Sequence, residues 1–436
     1  MAVRSRLMVD GDREKSADEW AGERWLTRNP RDRIATRIVG GRMETVTSAI
    51  AANTTFEMLI ETAAPFDAVR VVMAQGYDAA ATTPAGLLVG AAAVPSTDQT
   101  EIGAAQWVQD SSTFSLPPAA TVDRRKITKS NWLRVASVPR TDGGTGYLAA
   151  LRVYGFTGAT IATLGAAAGA DSFTNWATRP SRMFRMRQQT VNAVTTPANL
   201  TSTTNRNTSP IIGLEYMSRG QVISIAGFGD SITEGRGTYL MEGWGLPACE
   251  QLTADLGIPV EWSNLAWSGK QFSRISDHVI DALTDGMRFS AVVMPNASPN
   301  SLSVPIVAAD ITANRTYRAR AVAALADAAI PVLAWTVMPT NPVDAGSQPL
   351  KAYGSSDAIR RAYNDEWRGL VSSGEIVMDF DGALAGVTDG SGQVNMRAGS
   401  TTDGIHPNDT GNALLKPIFV AGATRILSRS YGKLVQ

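Results

Sequence analysis

Histidine and cysteine are nearly absent from this 436-residue chain, which holds two His and one Cys. A lone Cys249 can form neither an internal disulfide nor a multi-cysteine metal site, and it reads as a small apolar residue on a helix. His278 and His406 are too few for a histidine-rich zinc centre, and any histidine-dependent catalysis must choose between them. No stretch approaches the roughly 18 uninterrupted apolar residues of a membrane span. The N-terminus "MAVRSRLMVDGDREKSADEW" has no apolar h-region, so no Sec-type signal is expected, and cytoplasmic, virion-associated and non-Sec exported locations stay open. An excess of one charge is also missing: 40 Lys and Arg balance 40 Asp and Glu. That balance removes the net positive field of a non-specific nucleic-acid binder, so no nucleic-acid partner is expected.

What is present is an apolar fraction of 44% with 10 Trp, enough for sizeable cores, in a chain longer than one ordinary domain. Residues 1–40 are polar and mixed in charge and read as an N-terminal arm packed through Trp20 and Trp25. From 41 to 220, short runs rich in Val, Ile, Phe and Thr alternate with Gly, Pro, Ser and Asn turns, the texture of an all-β, β-sandwich-like accessory domain. Residues 190–220 read as a final hairpin or a linker, and the β-rich half leaves room for a homo-oligomer. Beyond Gly220, strand and helix alternate: strands over 221–229, 258–266, 289–295, 330–339 and 375–380, helices over 243–257, 272–286, 312–329, 355–374 and 409–427. Apolar strands separated by amphipathic helices predict a parallel sheet covered on both faces, with functional residues in loops at the strands' carboxyl ends.

"GFGDSITEG" places Ser231 in such a loop, directly after the first of these strands. Two glycines permit a sharp turn, and a helical turn beginning there would offer amide N–H groups to an anion. A serine in this position can attack a carbonyl once a base removes its proton. Gly, Asp and Ser are equally ordinary turn and cap residues, and Thr233 breaks the G-x-S-x-G elbow. Of the two candidate bases, His278 sits mid-helix and reads as a surface or edge histidine. His406 lies in the loop "TTDGIHPNDTGN" with Asp403 three residues earlier, a spacing that brings a carboxylate to the imidazole; an Asx-turn at Asp403 explains the loop equally well.

Together the two stretches resemble the SGNH hydrolases of the GDSL esterase/lipase superfamily, over residues 221 to about 430. The first block is matched by Gly229-Asp230-Ser231-Ile232, continuing through Glu234-Gly235, and the last by Asp403-Gly404-Ile405-His406-Pro407. The resemblance implies a flavodoxin-like three-layer α/β/α domain over 221–436, with Ser231 as nucleophile, His406 as base and Asp403 as its orienter. It further implies an oxyanion hole from the Ser231 amide, a glycine of the second block and an asparagine of the third. "NLAWSGK" supplies Gly269 as that glycine. The third block departs from the family's Gly-x-Asn-Asp: "PNASPNSL" offers Ser298-Pro299-Asn300-Ser301, so Asn300 is carried over as donor, with Asn296 as competitor.

The chemistry so implied is an ester hydrolysis through an acyl-enzyme, with no metal or organic cofactor. The expected substrate is an acetylated polysaccharide or a small short-acyl ester, with Trp107, Trp132 and Trp176 of the accessory region as candidate sugar platforms. A lipase or thioesterase is the enzymatic alternative, with Trp267 and Met294 as candidate lining of an acyl pocket. A phage-tail or other surface-recognition protein with a decayed hydrolase domain is the alternative of a different class.

Overall fold

The structure is a computed structural model describing residues 9–10, 13–14, 33–39, 46–49, 53–77, 79–156, 159–165, 184–195, 200, 208–236, 243–342, 351–370 and 377–431. In its C-terminal half strand and helix alternate as β1 (Ile223–Gly227), α1 (Gly245–Leu256), β2 (Val260–Asn264), α2 (Phe272–Thr284), β3 (Ala291–Pro295), α3 (Ala308–Asp327), β4 (Val332–Trp335), α4 (Asp357–Leu370), β5 (Val377–Met378) and α5 (Asp409–Tyr431). All neighbouring pairs in the sheet are parallel, and the strand order is β2-β1-β3-β4-β5. That is the flavodoxin-like, doubly wound order.

The sheet buries both faces. On one, Ile223, Ile225, Val293, Leu333 and Trp335 share a core with α1 and α5, where Trp244, Trp262, Phe380 and Phe419 meet edge to face or tilted. On the other, Ala226, Val292 and Met294 pack against α2 and α3. Cys249 is fully buried in the first of these cores, on α1. Between β5 and α5 the chain adds a short helix, Phe380–Leu384, and the hairpin Ala385–Thr388 with Val394–Met396. Small residues carry little strand signal, and the sequence pattern does not separate this hairpin from its surroundings.

The N-terminal half is antiparallel. One sheet orders Phe184–Thr190, Thr54–Thr62, Tyr147–Tyr154, Leu88–Val94 and Val108–Gln109; another orders Ile34–Ile38, Ile211–Ser218, Phe66–Gly76 and Arg125–Lys129. A third, of three strands, joins Val46–Ala49, Thr160–Gly165 and Thr208–Ser209. Phe56, Met58 and Ile60 from the first sheet and Val69, Val71 and Met73 from the second share one core. Because side chains alternate along a strand, Val72 and Ala74 point the other way and join Ile38, Ile127 and Ile212 against α2 and the parallel sheet. The two halves are therefore joined by a continuous apolar layer.

Two segments differ from the expectation set by their sequence. Ile34–Ile38, placed in the arm, is a strand paired with Ile211–Ser218; the latter segment, expected as a hairpin or linker, pairs on both sides within the same sheet. The polar residues that disguised the first strand are satisfied across the junction. Ile38 N–H donates to Ser263 Oγ at 3.1 Å, Ser263 Oγ donates to Thr36 O at 2.7 Å, and Arg37 pairs with buried Glu261. Trp20, Trp25 and Trp176 lie outside the described residues.

Candidate active site

In a doubly wound sheet the crevice lies outside the carboxyl ends of the strands, where the order reverses, here between β1 and β3. The loops leaving β1, β2 and β3 carry the three sequence blocks to this point. They continue the sheet briefly: Leu265 N–H donates to Gly227 O at 2.8 Å, Trp267 N–H to Gly229 O at 2.9 Å, and Phe228 N–H to Val293 O at 2.9 Å.

Ser231 opens the helical turn Ser231–Glu234, capped by Asp230, whose Oδ1 accepts the Ile232 N–H at 2.9 Å. Cap and candidate nucleophile thus coexist in one motif. Gly229 is required by close approach: a Cβ there would lie 2.0 Å from Thr233 Oγ1. Burial pushes the Asp230 carboxyl up from its ordinary value, and the Ser298 hydroxyl and Ile232 amide only partly offset this.

Ser231 Oγ lies 2.7 Å from His406 Nε2, and His406 Nδ1 lies 2.5 Å from Asp403 Oδ2. The carboxylate can only accept, so Nδ1 carries the proton and bare Nε2 faces the serine hydroxyl. Asp403 also organises its own loop. Its Oδ1 accepts the Ile405 and His406 amides at 3.0 and 2.8 Å, forming the Asx-turn that the sequence left as the alternative. Burial alone would raise the Asp403 carboxyl, but these bonds and the imidazole outweigh it and hold it far below the usual carboxylate range. Asp403 therefore stays ionised. The loop is anchored to the β4 end by the Asn341 N–H, which donates to Gly404 O at 2.7 Å.

Gly269 follows β2 at φ +75°, a left-handed conformation that favours glycine. In the third block Asn300 Nδ2 approaches the neighbouring Lys270 O at 3.4 Å, so Asn300 and the Gly269 loop share one side of the crevice. The competitor Asn296 accepts from Arg318 Nε through Oδ1 at 3.2 Å, on the α3 side, and from Tyr363 through its carbonyl, while its Nδ2 is buried with no hydrogen-bond partner among the described residues. Ser298 is the residue that sequence reasoning missed. Its hydroxyl donates to Asp230 Oδ2 and accepts the Asn300 N–H at 3.2 Å, linking the first block to the third. Its position as cap of the Pro299–Ser301 turn was the available signal.

His278 is not a surface histidine. It is 1% exposed, stacks on Trp267 with ring centroids 4.7 Å apart, and bonds the Asp123 carbonyl through Nε2 at 3.0 Å. Burial, reinforced by Arg125, holds it well below its ordinary value, hence neutral. It buttresses the Gly269 loop, and its Nε2 is committed to that carbonyl rather than to Ser231. Trp267 and Met294 are core residues, 5% and 0% exposed. Trp107 and Trp132 lie under the guanidinium groups of Arg152 and Arg70. Among the described residues no three His, Cys, Asp or Glu are grouped to hold a metal ion, and no helix is long and apolar enough to cross a membrane.

Fold and site together define a doubly wound α/β unit with a hydrogen-bonded serine, histidine and aspartate at its switch point. No protein-family model and no curated protein matches the chain. Among solved structures it is similar to a GDSL-like lipase from Bacteroides thetaiotaomicron (14% identity, 47% of this chain and 89% of that one, TM-score 0.36). It is similar also to a member of the lipolytic G-D-S-L family from Veillonella parvula (19%, 47% and 99%, TM-score 0.34). A carbohydrate esterase family 3 protein from Talaromyces cellulolyticus gives 19% identity, 48% and 99% coverage and a TM-score of 0.35.

Proposed function

We infer that residues 221–436 form a serine esterase of the SGNH type, acting through an acyl-enzyme. The observation that carries this reading is the continuous bond chain from Ser231 through His406 to Asp403. In the proposed cycle Ser231 Oγ attacks the ester carbonyl while His406 Nε2 takes its proton, and Asp403 holds the ring and stabilises the imidazolium. His406 then protonates the departing alcohol, and later takes a proton from the water that releases the acid. The developing oxyanion would be met by the amides of Ser231 and Gly269 and by the Asn300 side chain.

The preferred substrates are short acyl esters, foremost O-acetyl groups on a carbohydrate. A long-chain lipase reading lacks support: Trp267 and Met294 are committed to packing, and the surface beside Gly269 is polar. The intact bond chain also weighs against a decayed, purely structural hydrolase domain. The test is turnover of p-nitrophenyl esters of increasing acyl length. Acetate is expected to give the highest kcat/KM, with a fall of at least tenfold by octanoate; preference for octanoate would replace the acetylesterase reading with the lipase one.

A further inference from the structure

Asn300 sits in a single short turn, Pro299–Ser301, whose own hydrogen-bond geometry holds it weakly. Its peptide link to Pro299 is instead gripped from both sides. The Asn300 N–H donates to Ser298 Oγ at 3.2 Å, and the Pro299 carbonyl accepts from Lys351 Nζ at 3.0 Å and from the Leu302 N–H at 3.2 Å. Ser298 is tied in turn to Asp230, next to the candidate nucleophile. We propose that Lys351 is a positioning residue: through the Pro299 carbonyl its charged amine fixes Asn300 in the crevice, so that turnover depends on this lysine being protonated. Its effect on rate rests on the esterase reading above, while its effect on the loop does not.

Lys351 can hold the loop because its own backbone is pinned. Its carbonyl accepts from Gln393 Nε2 at 3.0 Å, from the Thr340 hydroxyl at 3.3 Å and from the Tyr353 N–H at 2.9 Å. Gln393 is fully buried; its Nε2 also donates to Thr340 O at 2.7 Å, and its Oε1 accepts the Gly354 N–H at 3.1 Å. Tyr353 shares a core with Ala297, Leu302 and Ile306, which flank Asn300 in the chain. The half-buried Lys351 side chain therefore starts from a fixed point and gives up less freedom than a surface lysine would. The same support reaches the histidine loop: Asn341, next to Thr340, donates its N–H to Gly404 O and accepts the Met396 N–H at 2.8 Å through Oδ1. The hairpin between β5 and α5 thus braces both loops.

Two carboxylates act on the ammonium, Asp230 of the first block and Asp310 of α3. Asp310 also holds the far end of the third-block loop, accepting the Ser303 and Val307 N–H groups at 2.9 and 3.1 Å. The Tyr353 phenol is pushed up by burial and stays neutral. Burial outweighs both carboxylates and holds Lys351 below the ordinary lysine value, so its charge is lost at a lower pH than that of a surface lysine. A neutral amine bonds a carbonyl less strongly than an ammonium does, and kcat should therefore fall as pH rises through that range.

The experiment measures p-nitrophenyl acetate turnover from about pH 7 to about pH 10, corrected for spontaneous hydrolysis, in the unaltered protein, Lys351→Met and Lys351→Arg. Lys351→Met is expected to lower kcat roughly 10 to 100-fold at neutral pH with KM changed little, the signature of a misplaced donor. Lys351→Arg should restore most of this and remove the alkaline fall, because a guanidinium stays charged throughout. Since Lys351 acts through Asn300, the Asn300→Ala/Lys351→Met protein should be about as slow as Asn300→Ala alone. Hydrogen–deuterium exchange supplies a readout that needs no turnover. The peptide carrying residues 298–302 should exchange several-fold faster in Lys351→Met, with the rest of the chain unchanged, and at the original rate in Lys351→Arg. A kcat within twofold in Lys351→Met, an alkaline fall that persists in Lys351→Arg, additive losses in the double variant or unchanged exchange would each overturn the positioning role. Failure of the esterase reading shows separately, as absence of turnover by the unaltered protein, and exchange then decides the clamp by itself.

Discussion

Replacing His406 by alanine is expected to lower kcat on p-nitrophenyl acetate by on the order of 10⁴-fold or more, and Ser231→Ala by a similar factor. In the proposed cycle the hydroxyl is not a nucleophile until a base accepts its proton, and His406 Nε2 at 2.7 Å is the group placed to do so. His278 cannot substitute, because its Nε2 is committed to the Asp123 carbonyl and its ring to Trp267. Residues acting as one unit do not add, so the Ser231→Ala/His406→Ala double variant should be no slower than either single one. Kinetics of the purified variants, with circular dichroism to verify the fold, decide this. More than about a tenth of wild-type kcat remaining in His406→Ala would remove His406 from the role of base.

Asn300→Ala should lower kcat about 100 to 1000-fold, corresponding to roughly 3–4 kcal/mol of transition-state stabilisation, with KM changed little. The effect falls on kcat because an oxyanion donor gains its interaction only as charge develops on the substrate oxygen. Asn296→Ala should act differently, chiefly on stability. Asn296 is fully buried and its Oδ1 accepts from half-buried Arg318 Nε while its carbonyl accepts from Tyr363, so its loss removes buried polar links to α3 and α4. A strong kcat effect in Asn296→Ala with a weak one in Asn300→Ala would shift the proposed donor four residues toward β3.

The same third block marks the limit of what the sequence makes legible. The strand and helix alternation after Gly220 was legible because β1 and β3 are largely apolar runs and α2 and α4 are strongly amphipathic. Ser231 and Asp403 to His406 were legible because each motif is contiguous, while Ser298 acts across 68 residues on Asp230 and has no local pattern. His278 was misread since a helical histidine between aspartates looks solvated; only the fold brings Trp267 and the Asp123 loop onto it. Ile34–Ile38 was hidden for a related reason. Its Thr36 and Arg37 are buried at 0% and 2% exposure, which a polar residue tolerates only with distant partners such as Ser224 and Glu261.

In the proposed cycle Ser231, activated by His406, carries the covalent step. Peptide mass mapping of the purified protein after reaction with a fluorophosphonate tests it most directly. One adduct is expected, on the peptide containing Ser231, and it should disappear in His406→Ala. An unlabelled Ser231, or an adduct whose formation ignores the loss of His406, would contradict it.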